Sequence, residues 1–147
     1  MSDGLEGGCA CGSVRYRLAS APFDAGWCHC RTCQLVSGAP AMVFASVPEG
    51  DFAWTKGADR VRRFKSSSFG HREYCGDCGT PFSMKVDHQP ETVDFSVATL
   101  DEPERVAPGF HIFDASRIAW FETNDDLPRH ARFRRDTRGL EGTAPPE

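Results

Sequence analysis

The chain has 147 residues, a formal net charge of −4 and seven cysteines. This length fits one domain that buries a core of its own. The acidic balance excludes a general attraction to DNA or RNA, and no apolar run approaches the length of a membrane-spanning helix. The first residues are polar and acidic, which predicts no secretory signal peptide. We therefore expect a cytoplasmic protein with no nucleic-acid or membrane partner.

Alternating apolar and polar residues dominate the chain and predict β-strands. In chain order the strand candidates are 13–18, 42–47, 52–55, 60–65, 82–87, 93–98 and 110–113. Helix signals are confined to a short turn after Cys30 and another within 116–121. The prediction is a mainly β, antiparallel domain over 1–138 with few short helices and metal knuckles in its loops. The Gly- and Pro-containing tail 139–147 is expected to be disordered.

The seven cysteines fall into three tight groups and are the most specific feature of the sequence. They are Cys9-x-Cys11, Cys28-x-Cys30-x-x-Cys33 and Cys75-x-x-Cys78. Neighbouring cysteines in a short turn direct their sulfurs at the same point, and four thiolates close a tetrahedral zinc site whereas three leave one position open. The count therefore indicates one closed, structural site and one open site that can do chemistry.

Two other uses of clustered cysteines fit less well. A disulfide framework leaves one thiol over, and bridges within CxC or CxxC turns are strained. A redox CxxC of the thioredoxin type needs a strand–CxxC–helix context within a βαβ pattern, and no such pattern is visible.

The grouping of the cysteines has two solutions. Glycine follows both Cys75 and Cys78, as in a zinc knuckle, because glycine allows backbone N–H groups to turn toward the sulfurs. Cys9 and Cys11, also flanked by glycine, are the obvious second pair. A ribbon that combines 75 and 78 with Cys30 and 33 is equally compatible with the spacing, and it would leave the cysteines at 9, 11 and 28 unused.

Several segments together resemble one known family. The segments are 8–14, 28–34, 37–40, 75–80 and 111–113, together with Trp120. They are similar to the family of glutathione-dependent formaldehyde-activating enzymes and centromere protein V, over about 7–133. The resemblance implies an Mss4-like zinc fold with two zinc ions per chain, and it decides against the ribbon grouping. It assigns the structural zinc to Cys9, Cys11, Cys75 and Cys78, and the catalytic zinc to Cys28, Cys30 and Cys33.

An open zinc site with three thiolates is suited to thiol chemistry. It binds a fourth sulfur and deprotonates it, so that a thiol with an ordinary pKa of about 8.5 becomes a nucleophile at neutral pH. Attack on a neighbouring small aldehyde gives a hemithioacetal, and the reverse reaction is that of a carbon–sulfur lyase. We therefore expect a small-molecule thiol, glutathione-like by resemblance, and a small aldehyde as partners.

Three residues near these groups are candidates for lesser roles. His29, between two predicted ligands, can donate to a sulfur, relay a proton or face solvent. Arg31 is the nearest cation for a substrate carboxylate, or a surface arginine paired with a local acid. His111 is expected to be a core or strand-end histidine. The polar loop 66–69 before the last knuckle either lines a pocket or forms an ordinary hairpin turn.

Two alternatives to an enzyme remain at this point. In a non-catalytic binding or scaffold module both zinc ions are structural, and a group such as His29 fills the fourth position of the second site. In a redox-sensing or metal-buffering protein the exposed cysteine triple releases zinc on oxidation.

Overall fold

The structure, a computed structural model, describes residues 4–134 and, as backbone only, 136–137 and 140–141. These residues form one α-helix, α1 (Arg31–Ser37), and a set of mostly short strands. The strands are β1 (Leu5–Gly8), β2 (Arg15–Leu18), β3 (Phe23–Cys28), β4 (Met42–Pro48), β5 (Phe52–Lys56), β6 (Val61–Ser67), β7 (Gly70–Cys75), β8 (Pro81–Val86), β9 (Thr92–Ser96), β10 (His111–Ile112), β11 (Asp136–Thr137) and β12 (Leu140–Glu141). Single 3-10 turns cover Glu49–Asp51, Ala58–Arg60, Val97–Thr99, Pro103–Arg105 and Asp114–Ser116.

The strands form a small and a large sheet. The small sheet has the order β1-β2-β5, the large one has the order β10-β3-β4-β9-β8-β7-β6, and β11 pairs with β12 in a separate hairpin. Neighbours are antiparallel except β10, which lies parallel to β3. The predicted mainly β, antiparallel class with few short helices is confirmed.

The core joins the two sheets through aromatic side chains. The alternation in β2 places Tyr16 and Leu18 inside, each with no exposed surface. The Tyr16 ring stacks on Phe52 at a centroid distance of 4.8 Å and meets Phe82 of the large sheet edge-on at 6.1 Å. Such aromatic pairs favour offset or edge-to-face geometry and bury large apolar areas. The small sheet is thus fixed against the face of the large one.

A smaller core cluster lies where β10 meets β3. It contains Cys28, Cys33, Phe110 and Ile112, all buried. The parallel register sets His111 opposite Trp27 and Ile112 opposite Cys28. Residues near position 111 therefore reach the cysteine triple although they are distant in sequence.

All seven predicted strand segments contain strands, and β1, β3, β7, β11 and β12 were missed. The predicted turn after Cys30 is α1, whose N-cap is Cys30 itself, and Gly38 ends the helix in a left-handed conformation. Within the second predicted helical segment, 116–121, no helix forms: the 3-10 turn Asp114–Ser116 ends there, and one isolated turn follows, in which the Phe121 N–H donates to the Ile118 carbonyl at 2.9 Å. The Arg117 guanidinium there donates to the carbonyls of Ala119 and Phe121, so these accept a side chain instead of a helical N–H.

The tail expected to be disordered, 139–147, falls mostly outside the described residues, which include only 140–141 of it. The limits of the predicted domain, 1–138, stay a prediction. Throughout the described part of the chain, we find no helix with the length and apolar character needed to cross a bilayer.

Candidate functional site

Four cysteines from two distant segments form one cluster. Cys9 and Cys11 follow β1, Cys75 ends β7 and Cys78 lies in the turn after it. Their sulfur atoms all lie within 4.8 Å of one another, and the Sγ–Sγ distance between Cys11 and Cys75 is 4.0 Å. Four sulfurs bound about 2.3 Å from a tetrahedral zinc ion stand about 3.8 Å apart. The donor set therefore fits zinc.

Two similar turns present these thiols. Gly12 and Gly79 follow the cysteine pairs with φ values of +80° and +83°, a left-handed conformation that favours glycine. The Gly12 N–H donates to the Cys9 carbonyl at 3.1 Å, and the Gly79 N–H donates to the Cys75 carbonyl at 2.8 Å. Each turn folds the chain back, so that both thiols of a pair face the same point.

Hydroxyl groups surround this cluster, and the sequence reasoning missed them. Ser13 Oγ lies 3.0 Å from Cys11 Sγ and 3.6 Å from Cys75 Sγ. Thr80 Oγ1 lies 3.2 Å from Cys78 Sγ, and its hydrogen bond lowers the pKa of the Cys78 thiol to about 6. Hydroxyl donors stabilise the thiolate form, which is the form that binds metal. A Ser or Thr two residues after a cysteine is too common to be a signal on its own.

The second cluster is local. Cys28 is the last residue of β3, Cys30 is the N-cap of α1 and Cys33 lies in its first turn. The three sulfur atoms lie within 4.8 Å of one another, and the Cys33 N–H donates to Cys30 Sγ at 3.2 Å. The strand end and the helix start therefore converge three thiols on one point. Among the described residues, no histidine or carboxylate joins this group within the same distance.

The ionisation of the three thiols is shared. Hydrogen bonds from Cys28 and Cys33 lower the pKa of the Cys30 thiol to about 2, whereas the bond with Cys30 raises the pKa of Cys28 well above its usual value. The thiolate of Cys30 is thus stabilised by hydrogen bonds from the thiols of Cys28 and Cys33. A divalent cation is what allows all three to ionise together, because like charges this close otherwise oppose each other. The chemistry of this donor set also fits zinc.

Arg72 is the cation that the sequence reasoning missed. It lies on β7, is only 6 % exposed, and its Nη2 donates to Cys33 Sγ at 3.3 Å. Burial by itself lowers the pKa of the guanidinium, but its interactions with the sulfur of Cys33 and with the other two cysteines of the triple more than offset this, and the pKa is raised. No sequence signal marked this position, because the residues around it in β7 are polar on both faces.

His29 points away from the cysteine triple. Successive side chains of an extended chain face opposite sides, and His29 Nε2 lies 2.8 Å from His111 Nδ1. His111 Nε2 in turn lies 3.1 Å from both carboxylate oxygens of Asp125. Both histidines are fully buried, and burial, reinforced by the proximity of His111, lowers the pKa of His29. The two buried histidines and the exposed Asp125 form a polar row that runs from behind the site to the surface.

Arg31 is exposed at the start of α1, and its Nη1 donates to Gln34 Oε1 at 3.0 Å. Neither Arg31 nor His29 is among the residues that line the cavity beside the triple. A substrate-binding role for these two residues stays a prediction, and the cation that contacts the triple in the structure is Arg72.

A cavity of about 180 Å³ opens beside the triple. Cys28 and Cys30 contribute to its wall, as do the polar residues Arg72 and Gln89. Its remaining wall is largely apolar and includes Phe44, Phe69, Phe110, Phe113, Phe133 and Met84. The loop 66–69 is both a hairpin turn, which joins β6 to β7, and a part of the wall of this cavity. The arrangement brings an apolar space to an open cluster of three sulfurs.

The comparison with protein families identifies the chain. The model of the glutathione-dependent formaldehyde-activating enzyme family matches residues 4–116, a segment that contains both cysteine clusters. The chain belongs to this family.

Individual relatives agree with the family. A Halomonas elongata protein named "Putative glutathione-dependent formaldehyde-activating enzyme" is 26 % identical over 129 residues, which is 80 % of each chain. An uncharacterised lyase of Schizosaccharomyces pombe is 29 % identical over 75 residues, 51 % of this chain and 53 % of the relative. The crystal structure of a Rhodobacter sphaeroides protein, 24 % identical, has a TM-score of 0.57 over 70 % of this chain and 91 % of its own. That likeness supports the fold alone.

Membership of the formaldehyde-activating family supports an enzyme of the lyase type, and two clusters in the chain can hold metal ions. The four-plus-three grouping is the one in which the sulfur atoms lie together. The ribbon grouping is incompatible with the geometry, because Cys30 and Cys33 belong to a different cluster from Cys75 and Cys78.

Proposed function

We propose that this chain is a zinc-dependent carbon–sulfur lyase that joins a glutathione-like thiol to a small aldehyde as a hemithioacetal and cleaves it in reverse. The observation that carries the proposal is the three-sulfur cluster of Cys28, Cys30 and Cys33, which has no fourth protein ligand among the described residues and adjoins a cavity. The family match supports the same reaction class.

Cys28, Cys30 and Cys33 would hold the catalytic ion. When bound, zinc supplies a fourth position that takes a substrate sulfur in its thiolate form. The cavity wall at Cys28 and Cys30 sets where this sulfur and the aldehyde meet. Holding the two reactants at near-contact distance replaces a bimolecular encounter by a reaction between positioned groups. This removes a large part of the barrier for such an addition.

The residues around the triple keep its geometry and charge. Arg72 donates to Cys33 Sγ, which fixes this sulfur and offsets part of the negative charge of three thiolates. The helix start at Cys30 fixes the second sulfur through the Cys33 N–H. The apolar walls exclude water, which would otherwise compete with the thiol by adding to the aldehyde carbon and forming the hydrate.

Cys9, Cys11, Cys75 and Cys78 would hold the second zinc ion, with a structural role. The ion would tie the segment after β1 to the end of β7, and Ser13 and Thr80 would support its ligands. All seven cysteines are free thiols in the structure. We place the protein in a reducing compartment such as the cytoplasm, where thiol ligands and thiol substrates persist.

The alternative of a scaffold module with two closed sites has less support. It needs a protein group at the fourth position of the triple, and His29 was the candidate. His29 instead faces His111.

Native mass spectrometry of the zinc-loaded chain, paired with exchange NMR of formaldehyde and thiols, tests the proposal. We expect two zinc ions in the wild type and one in a folded Cys28→Ser/Cys33→Ser variant, which no longer accelerates exchange. In the matched variant Cys9→Ser/Cys11→Ser, the main effect should be a loss of thermal stability. Exchange at the same rate with and without the wild-type protein, for glutathione and for other thiols, would refute a lyase.

A further inference from the structure

The cavity beside Cys28 and Cys30 is larger than formaldehyde requires. Formaldehyde has two non-hydrogen atoms, and the cavity measures about 180 Å³. A dry cavity of about 150 Å³ lined by Leu, Ile and Phe is sufficient to hold benzene. The space therefore suits a six-membered ring or a chain of similar volume.

The walls match such a group in polarity. Five phenylalanines line the cavity, at positions 44, 69, 110, 113 and 133, together with Met84 and Val86. Phe110 itself lies against Gly26, where any Cβ would come within 2.4 Å of its ring. The backbone of β3 is thus shaped to let this ring form the wall. Aromatic walls favour an aromatic occupant through edge-to-face and offset contacts.

The charges in the cavity are already paired. Of the described residues that line it, the two cations are Arg72, which donates to Cys33 Sγ, and Arg134, which lies 3.0 Å from Asp24. Neither cation is left for the carboxylates of a glutathione molecule. The thiol partner is therefore unsuited to fill this space, and the aldehyde's substituent is suited to it.

Among the described residues, three N–H donors in the wall lack a hydrogen bond, and one of them, Arg134 Nη2, already lies at ion-pair distance from Asp24. Arg72 Nε and Gln89 Nε2 are buried N–H donors without a hydrogen-bond partner in the described part of the chain, and both residues are 6 % exposed. Such donors are costly when unpaired. Because Arg72 contacts Cys33, its Nε–H fits the oxygen of an aldehyde held at the triple. Gln89 fits an acceptor elsewhere on the occupant.

We propose that the cavity binds the apolar, ring-sized substituent of the aldehyde. The preferred substrate is then an aromatic or medium-chain aldehyde whose substituent has about six to eight non-hydrogen atoms. The reaction rests on the function proposed above. The thiolate sulfur bonds to the aldehyde carbon, the π pair of the C=O bond moves to oxygen, and that oxygen takes up the proton that the thiol released. No oxidant or reductant is needed.

Binding of an unreactive probe tests the cavity without relying on catalysis. We expect benzyl alcohol to bind the zinc-loaded full chain, measured by calorimetry, and Val86→Phe to weaken this binding at least about tenfold by filling the space. Val61→Phe, at a partly buried position of β6 outside the cavity, is the matched control and should bind as the wild type does. Zinc stoichiometry checks that each variant keeps its sites.

A substrate series then tests the reaction. With glutathione as thiol, phenylacetaldehyde should exceed formaldehyde in kcat/KM at least about tenfold, and Phe44→Ala should shift the preference toward larger aldehydes. If the protein accelerates thiol addition to formaldehyde but does not bind benzyl alcohol, the inference is overturned and the proposed lyase function is retained. If benzyl alcohol binds but no aldehyde reacts faster with the thiol, the lyase function is overturned. The proposal that the cavity holds the substituent of an aldehyde is then overturned as well.

Discussion

His29 Nε2 lies 2.8 Å from His111 Nδ1, although the two residues are 82 positions apart in the chain. The pair exists because β10 lies parallel to β3 and places His111 beside the strand end that carries Cys28, the first cysteine of the triple. Asp125 accepts at the far end of the row. The row therefore connects the back of the predicted catalytic site to the segment after β10.

Replacing His111 by phenylalanine should destabilise the fold. His29 has no partner for Nδ1 within the described residues, so the variant would leave a fully buried imidazole without hydrogen bonds. The cost of such a group is roughly 1–3 kcal/mol in the free energy of unfolding. Urea denaturation measures it, with His71→Phe, at a partly exposed position on β7, as control. Equal stabilities of the two variants would show that the row contributes nothing.

Ser13→Ala should weaken the first metal site while leaving the fold intact. The Ser13 hydroxyl lies within hydrogen-bond range of the sulfurs of Cys11 and Cys75, and loss of such a support typically lowers metal affinity about 10–100-fold. Competition with a chromogenic chelator gives the zinc affinity. Ser68→Ala, in the exposed turn between β6 and β7, is the matched control. An unchanged affinity in Ser13→Ala would contradict the role given to this hydroxyl.

Arg72→Gln should release zinc selectively from the triple. The variant removes the cation that faces Cys33 Sγ, and three thiolates then lack its compensation in a buried site. We expect about tenfold weaker retention of the zinc ion at the triple in a chelator titration followed by native mass spectrometry. Arg72→Lys keeps the charge and should restore part of the retention. If both zinc ions leave together in Arg72→Gln, the selective role is wrong.

The stability of the protein should depend on pH through His88. Burial lowers the pKa of His88, and the ring packs against Phe69 and Phe133. Below the ordinary histidine pKa of about 6.5 the unfolded chain takes up a proton that the folded chain resists, so stability falls as pH falls. His88→Phe removes this contribution. Its free energy of unfolding should decline less than that of the wild type between about pH 7.5 and 5.5, and parallel declines would argue against it.

The β architecture was predictable where one face of a strand is apolar. Tyr16 and Leu18 alternate with arginines, and this pattern alone identified β2. β7 carries His71, Arg72 and Glu73 in succession and shows no apolar face, because its buried arginine is held by a sulfur from another element. Such a partner depends on tertiary structure, which no local pattern reports.

The cysteine clusters were predictable for the opposite reason. Cysteines at CxC and CxxC spacing carry their own chemistry, so residue type and spacing were sufficient to indicate them. The direction of His29 was not predictable, because it is set by His111 through the parallel pairing of β10 with β3. Asp94 shows the same limit: the alternation over 93–98 predicts an exposed polar face, but β9 lies inside the large sheet and Asp94 is buried beside Ser46.

The two cysteine clusters differ in how much chain each would enclose. The triple lies within the segment 28–33, whereas Cys11 and Cys75 are 64 positions apart. A cross-link that closes a loop of this length lowers the entropy of the unfolded chain by the equivalent of about 4 kcal/mol at 25 °C. During synthesis, the triple is ready for metal as soon as Cys33 has left the ribosome. The divided cluster waits for Cys78, so its metal would bind second and would close a long loop while β8, β9 and β10 are still to be made.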